Sequence, residues 1–222
     1  MELVRVKGAT KRLEKPRSLT MDQFLTLVSH LKQPHRTMVL VAGCMGLRVS
    51  ELMALKWTDF DLADSTVLVQ RSIVHGRVGE VKTEYSSERV PVDALLAKEL
   101  VAYRLVWPES ADGWLFANPA TGKPYHSEEV QKSYLRKAGL LAGLGSDIGW
   151  HTFRHSYRAW LDDTGAPMGV QQELMRHASI TTTMNVYGSA MSSTKREANA
   201  KVVRMLLKID PPTDKAQLQA AG

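Results

Sequence analysis

The segment WHTFRHSYRAWLDDTG, residues 150–165, decides the fold of this chain because it combines aromatic and basic residues on one predicted helix. Gly165 is expected to end that helix. His151, Arg154 and His155 are spaced i, i+3 and i+4, which places three basic side chains on one helical face. The aromatic residues indicate that part of the helix is buried in a core; they are Trp150, Phe153, Tyr157 and Trp160.

Arg154 in this segment requires an anionic partner if its helix is partly buried. A guanidinium is planar and presents paired donors, so it suits either a phosphate or a carboxylate. The segment alone leaves both readings open: a bound phosphate, or a structural ion pair with an Asp or Glu.

Two helices are predicted near the start of the chain from their end signals. Thr20 is a suitable N-cap, Gln23 completes a capping box with it, and Leu19 and Phe24 form a hydrophobic staple. The second helix begins at Pro34 and ends at Gly46. A third, short helix is expected in SELMALKW, with Ser50 as its cap. Further helices are predicted over 93–107, from a Ser127 cap to Gly139, over 166–177 and over 192–209.

A small β region is expected in the first half of the chain. TVLVQRSI (66–73) is rich in β-branched residues and partly alternates, and the HGR that follows is a turn. GEVKTE and ERVPV supply two more short strands, and Pro91 suggests a sheet edge or a strand end. The predicted fold is therefore mainly α with a small three-stranded antiparallel sheet, an α+β domain.

Composition limits the class of protein. The 222 residues are 44% apolar, enough for a sizeable core, and no run of 18 apolar residues predicts a membrane span. The net charge of +6 is a moderate bias towards polyanions. Cys44 is the only cysteine, so an internal disulfide is ruled out, and its apolar context predicts a small buried side chain.

Three segments are predicted along the chain. Residues 1–17 are basic and poorly patterned, and we interpret them as an arm or linker without an apolar signal core. Residues 18–209 form the predicted catalytic domain. Residues 210–222 form a polar, flexible tail.

Five residues outside the opening segment are candidates for chemistry, three of them in the first half of the chain. Arg48 follows a glycine stop and precedes a helix, a fair place for a phosphate, and Glu51 is positioned to hold an arginine. Lys82 lies on a strand beside a turn, from which it could reach DNA. Taken alone, Arg48 has a simpler interpretation as an exposed helix-terminal arginine, and Lys82 as a solubilising lysine.

His177 and Tyr187 lie in HASITTTMNVYG, residues 177–188, which is otherwise mostly small and polar. Alone, His177 would be a structural histidine and Tyr187 an aromatic at the edge of a core. No metal site is predicted: His151 and His155 have the i, i+4 spacing of zinc ligands, but HTFRH has no Glu between them, and the charge of Arg154 would repel a metal ion. No ATP-binding loop or nucleophile elbow is present either, so no cofactor is expected.

Taken together, these motifs favour a functional interpretation of each residue over the simpler one. In chain order they are an Arg in GLRVSEL, a Lys in VKTEYSSERVPV, the pair in HTFRH, a His in LMRHASI and a Tyr in TTTMNVYG. This order and its local contexts resemble the tyrosine recombinase family, the phage-type integrases, from about Ser18 to Met205. The resemblance implies the family's catalytic-domain fold and a metal-independent enzyme that breaks and rejoins DNA.

The resemblance also implies a role for each residue. Tyr187 would attack a DNA phosphodiester and form a 3′-phosphotyrosyl bond. Arg48 and Arg154 would clamp the non-bridging oxygens, and His177 would donate a further hydrogen bond to them. Lys82 would protonate the leaving 5′-oxygen.

Three further residues match family positions around that centre. His151 would assist proton transfer at the tyrosine, and Glu51 would support the arginines. His155 matches a family histidine that would support the residues touching the phosphate without touching the phosphate itself. Arg176 stands where the family commonly has Gly, which we interpret as a tolerable change.

The chemistry required is consistent with these residue types. Two fixed guanidiniums and a histidine can neutralise the charge of a phosphoryl transition state without a metal. A tyrosine has a pKa of about 10, so it needs a base or nearby cations. A positioned general acid at the leaving oxygen typically contributes about 10²–10⁴-fold.

The expected partner is double-stranded DNA, on which the resemblance implies a homotetramer, in the cytoplasm and at the nucleoid, of bacterial or phage origin. Only about 18 residues precede the first helix, where the family usually has a core-binding domain. Full recombination by this chain alone is therefore less expected than strand cleavage. Three alternatives stay open: a type IB topoisomerase, a DNA-binding module without catalysis, and a helical scaffold that binds acidic protein.

Overall fold

A computed structural model of the protein describes residues 17–61, 63–80, 88–176 and 190–207. The helices within these ranges are α1 (Met21–Ser29), α2 (His35–Met45), α3 (Val49–Leu52), α4 (Ala94–Val106), α5 (Ser127–Val130), α6 (Arg136–Leu141), α7 (Trp150–Asp163), α8 (Met168–Leu174) and α9 (Ala190–Leu207). The strands are β1 (Phe60–Asp61), β2 (Thr66–Val69), β3 (Arg71–Val74), β4 (Arg77–Glu80) and β5 (Glu88–Pro91). None of the described helices is both long and apolar enough to cross a membrane. The structure confirms the predicted class, mainly α with a small antiparallel sheet.

The predicted start of the first helix and the predicted end of the second are confirmed. The Thr20 hydroxyl accepts from the Gln23 amide at 3.2 Å, and the Gln23 side chain accepts from the Thr20 amide at 3.0 Å. α2 ends at Gly46, whose φ of +58° is the left-handed conformation that glycine adopts without a Cβ penalty.

Two predicted caps are wrong. α3 begins at Val49 with Arg48 in the N-cap position, so Ser50 lies inside the helix. Glu51 satisfies the exposed Arg48 amide instead, accepting from it at 2.8 Å. Likewise Ser127 is the first residue of α5, and a π-helical turn, Gln131–Leu135, joins α5 to α6. A small polar residue before an apolar run predicts an N-cap only weakly, because a neighbouring side chain can accept the same backbone hydrogen bond instead.

The strands are divided differently from the prediction. The sheet has the order β1-β2-β5, all antiparallel, and β3 pairs with β4 in a separate hairpin. Residues 66–73 therefore form two strands, which separate at Gln70. The buried carboxylate of Asp59 accepts from Nε2 of the Gln70 side chain at 3.0 Å and also pairs with Arg71, which fixes the chain at this break. Pro91 ends β5, as predicted.

The core is built around α2, which is buried along nearly its whole length. α7 packs against it with the predicted aromatic face inward. Phe24 of α1 contacts Phe153 and Trp160 edge-on, with ring centroids 5.8 and 5.2 Å apart. The Trp160 indole donates to the Leu19 carbonyl at 3.0 Å, which ties the start of α1 to α7. This packing fixes where Arg154 stands relative to the end of α2.

The proposed boundaries of the arm (1–17), the catalytic domain (18–209) and the tail (210–222) stay predictions. Residues 1–16 and 208–222 lie outside the described residues.

Among the described glycines, Gly46 leaves the least space for a side chain. A Cβ built there would lie 2.2 Å from Cδ1 of Tyr157, and the backbone is left-handed. We expect Gly46→Ala to lower the free energy of unfolding by about 2–4 kcal/mol, because a clash in the core adds to the backbone penalty. Urea denaturation measures this.

Gly122→Ala is the matched control. Gly122 has a φ of +66° but nothing within 4 Å of its built Cβ. It should lose only the backbone penalty, about 1–2 kcal/mol. Equal losses for the two variants would show that the contact with Tyr157 does not constrain the fold.

Candidate active site

Three arginines from different parts of the chain gather at the junction of α2, α3, α7 and α8. Arg48 precedes α3, Arg154 lies within α7, and Arg176 follows α8. Together with Glu51 of α3 they form what we call the arginine cluster. Sequence reasoning anticipated the first two arginines and the glutamate.

Glu51 is the carboxylate of the cluster, and its side chain is 3% exposed. Oε1 accepts from Nη1 of Arg48 at 2.8 Å, while Oε2 accepts from Nη2 of Arg176 at 2.7 Å. Burial alone would raise the pKa of Glu51. The charge of Arg176 and the hydrogen bonds from both arginines outweigh burial, so the pKa lies below its usual value of 4.5. Glu51 is therefore ionised at neutral pH.

Arg154 is buried, and backbone carbonyls hold it. Its guanidinium donates to the carbonyl oxygens of Gly46 and Met175, at the ends of α2 and α8. Burial, with the neighbouring charges of Arg176 and Arg48, lowers the pKa of Arg154 to about 9. It remains protonated at neutral pH, in surroundings where an added anion would relieve the repulsion.

Arg48 is the solvent-facing member of the cluster, with 37% of its side chain exposed. Besides its contact with Glu51, Nη2 donates to the carbonyl of Arg176 at 3.0 Å. Glu51 pairs with two of the three guanidiniums and is the one carboxylate of the cluster, so the cluster as defined carries two positive charges in excess. An excess of fixed positive charge that is partly open to solvent is suited to bind an anion.

The two histidines of HTFRH lie on α7 on either side of Arg154. The rings of His151, which is exposed, and His155, which is half-buried, have centroids 6.4 Å apart. Within the described parts of the chain no group of three or more His, Cys, Asp or Glu side chains is placed to hold a metal ion.

The remaining predicted site residues, Lys82, His177 and Tyr187, lie outside the described residues. Described residues nevertheless flank their segments. Arg176 directly precedes His177, and Glu88 begins β5 after the segment that carries Lys82.

Sequence reasoning missed Lys195 of α9. Its Nζ contacts Oε1 of Glu88 at 2.7 Å and Oε2 of Glu173 at 2.5 Å. Burial lowers the pKa of Lys195, but the hydrogen bonds to Glu173 and Glu88 raise it more, so it stays charged. No local pattern signals this bridge, because its three residues are far apart in sequence.

Comparison with known proteins identifies the class. The model of the phage integrase family matches residues 17–193, and the chain belongs to that family. It is 31% identical over 198 residues to the tyrosine recombinase XerD of Mycobacterium leprae (strain TN), covering 80% of this chain and 58% of that protein. It is 28% identical over 199 residues to the ICEBs1 integrase of Bacillus subtilis (strain 168), covering 83% and 52% respectively. The chain thus spans little more than half the length of these curated relatives.

Solved structures show the same fold. The Tn1549 transposon integrase (residues 82–397, R225K) in complex with a circular intermediate DNA superposes with a TM-score of 0.65 at 20% identity. The match covers 83% of this chain and 67% of that one. The integrase from mycobacterium phage Brujita gives 0.63 at 24% identity, over 92% of this chain and 67% of that one.

The role of Glu51 leads to a stability prediction. Glu51→Gln should lower the free energy of unfolding by about 3 kcal/mol at pH 7, because it leaves buried Arg176 without its counter-ion. Glu51 has a depressed folded pKa, so its contribution is present above pH 4.5 and is lost as the pH falls through the folded pKa. The difference in the free energy of unfolding between wild type and Glu51→Gln, measured by urea denaturation, should therefore become smaller below pH 4.5.

Glu99→Gln provides the control. Glu99 pairs with Arg36 at 3.1 Å, and both side chains are more than 30% exposed. That change should alter stability by less than about 1 kcal/mol. A Glu51→Gln loss as small as this, or one that does not vary with pH, would contradict a buried ionic role for Glu51.

Proposed function

We propose that the arginine cluster binds the scissile phosphate of double-stranded DNA, and that the protein cleaves and rejoins DNA strands site-specifically through a phosphotyrosine. The observation that carries this proposal is the placement of Arg48 and Arg154. These two guanidiniums come from separate elements and donate to consecutive carbonyls of the turn after α8, and the cluster retains excess positive charge. The family membership supports the same reaction and favours recombination over topoisomerase action.

The arginines act on the phosphate. A phosphodiester carries one negative charge, and more charge develops on its non-bridging oxygens as a fifth oxygen approaches. Guanidiniums that are already fixed by Glu51 and by backbone carbonyls can stabilise that charge without reorganising. Arg48 and Arg154 have this role, and His177 donates a further hydrogen bond.

Tyr187 is the nucleophile in this proposal. Its oxygen attacks phosphorus as its proton leaves, with His151 assisting that transfer, and the bond from phosphorus to the 5′-oxygen breaks. Lys82 donates a proton to the departing 5′-oxygen. Rejoining reverses these steps with a 5′-hydroxyl as nucleophile. The covalent 3′-phosphotyrosyl bond conserves the energy of the broken bond, so ATP is not required.

The partner and assembly follow from the same proposal. Structural neighbours include integrase and recombinase complexes with DNA, which supports DNA binding by this chain. Exchange of strands between two duplexes requires four cleavages, so we propose a homotetramer on DNA. We place the protein in the cytoplasm, at the nucleoid, where its substrate is found.

The nucleophile can be tested without knowledge of the target sequence. A pool of random-sequence duplexes, each nicked next to the cleavage position, traps the covalent adduct because the short cleaved fragment diffuses away. Wild type should give a denaturant-resistant protein–DNA adduct. Tyr187→Phe should give none and should still bind DNA in a mobility-shift assay.

Tyr134→Phe is the matched control, since Tyr134 is an exposed tyrosine of the same domain, 44% accessible. This variant should retain the adduct. An adduct that survives Tyr187→Phe would contradict the assignment. Supercoil relaxation without recombinant products would indicate a topoisomerase instead.

The phosphate clamp is tested at the arginines. Arg48→Ala and Arg154→Ala should each lower the single-turnover cleavage rate by about 10²–10³-fold, the range for losing one fixed donor to a developing anion. Arg36→Ala removes an arginine paired with Glu99 between α2 and α4, and should leave the rate within about threefold of wild type. Equal losses in all three variants would contradict a specific clamp.

A further inference from the structure

We propose that Arg176 is a positioning residue of the phosphate site, whose backbone and side chain together keep Arg48 and Arg154 available to the anion. This inference rests on the proposed binding of phosphate by the cluster. Sequence reasoning treated Arg176 as a tolerable replacement of a glycine. The structure assigns it a specific set of contacts.

The backbone of Arg176 is left-handed, with a φ of +49°. A residue with a Cβ adopts this conformation at a cost in free energy, so glycine is favoured there. The turn holds the carbonyl of Arg176 within 3.0 Å of Nη2 of Arg48. The preceding carbonyl, that of Met175, accepts from Arg154. One strained turn therefore supplies an anchor to each arginine of the clamp.

The side chain of Arg176 explains why an arginine tolerates that conformation. It is fully buried, and Nη2 pairs with Oε2 of Glu51 at 2.7 Å, while Nη1 donates to the Leu174 carbonyl at 3.2 Å. Its Nε is also buried and has no hydrogen-bond partner among the described residues. An arginine on a strained backbone, with a buried donor that no described residue satisfies, is not placed for its own stability alone.

Arg176 determines how the two carboxylate oxygens of Glu51 are divided between the arginines. Because Oε2 accepts from Nη2 of Arg176 and also from the backbone amide of Arg48, the side chain of Arg48 is limited to Oε1. Without Arg176, Oε2 would regain one acceptor position, and the guanidinium of Arg48 could bind both oxygens in a two-fold ion pair that competes with a phosphate. Arg176 also adds the third positive charge of the cluster. It therefore raises the attraction for an anion without touching that anion.

Three substitutions at this position separate the effects. Arg176→Met removes the charge and keeps the backbone strain. Arg176→Gly removes the charge and the strain. Arg176→Lys retains both the charge and the strain.

We expect Arg176→Met and Arg176→Gly to slow single-turnover cleavage by about 10–100-fold, the loss typical of removing a residue that orients a functional group. Arg176→Lys should recover most of the rate. DNA affinity should change by less than about threefold in all three, because the cluster binds one phosphate of a long duplex and the buried side chain of Arg176 does not touch it. Thermal unfolding shows which variants are folded, and Arg176→Gly should be at least as stable as Arg176→Met.

A duplex with an uncharged group at the cleavage position distinguishes a positioning role of Arg176 from a loss of structure. In a duplex with a methylphosphonate at the cleavage position, one charged oxygen is replaced by a methyl group, so less charge must be neutralised. The rate ratio between wild type and Arg176→Met should shrink on this duplex. A structural defect would leave that ratio unchanged.

Several results would overturn the inference. Cleavage by Arg176→Gly at the wild-type rate would show that the side chain merely compensates its own backbone. Equal rates for Arg176→Lys and Arg176→Met would exclude a role for charge. An unchanged methylphosphonate ratio would point to structure alone.

A second measurement separates this inference from the proposed function. Inorganic phosphate should raise the midpoint of thermal unfolding of wild type and Arg176→Lys more than that of Arg176→Met and Arg176→Gly. If wild type forms no covalent adduct but shows this pattern, the cleavage proposal fails and the role of Arg176 stands. If wild type forms the adduct and phosphate shifts all four proteins equally, the role of Arg176 fails.

Discussion

The carboxylate of Glu51 is the interaction on which the site depends. It lies almost fully buried and divides its two oxygens between arginines that come from opposite ends of the domain sequence. Removing a charge from water is costly, and a buried ion is stable only when its partners are well placed. This requirement couples α3 to the turn after α8. The core packing of α2 and α7 then fixes Arg154 against the same turn.

Much of the fold could be predicted because its signals are local. The capping box at Thr20, the glycine that ends α2 and the aromatic face of α7 each depend on residues a few positions apart. The division of residues 66–73 could not be predicted in this way. It depends on Asp59, a buried acid outside that segment, which accepts from the two residues at the break.

The candidate site shows the same limit. Arg48, Glu51 and Arg154 could be found because their motifs stand in a family order, but the order does not reveal which groups share a carboxylate. Arg176 was visible only as a departure from glycine, and its contacts required the structure. The roles of Lys82, His177 and Tyr187 stay predictions, since those residues lie outside the described parts of the chain.

The polar contacts of α9 join three described elements of the domain. Lys195, near the start of α9, joins Glu88, which follows the segment with Lys82, to Glu173, which precedes His177 by four residues. Further along α9, the buried side chain of Asn199 accepts from the Tyr157 hydroxyl at 2.8 Å and donates to the Pro91 carbonyl at 3.2 Å. α9 is thus bound by polar contacts to β5, α7 and α8 at once. Because buried polar groups are costly to leave unpaired, these contacts fix the register of α9 more strictly than apolar packing alone. These contacts hold α9 beside α7 and α8, two of the elements that carry the arginine cluster.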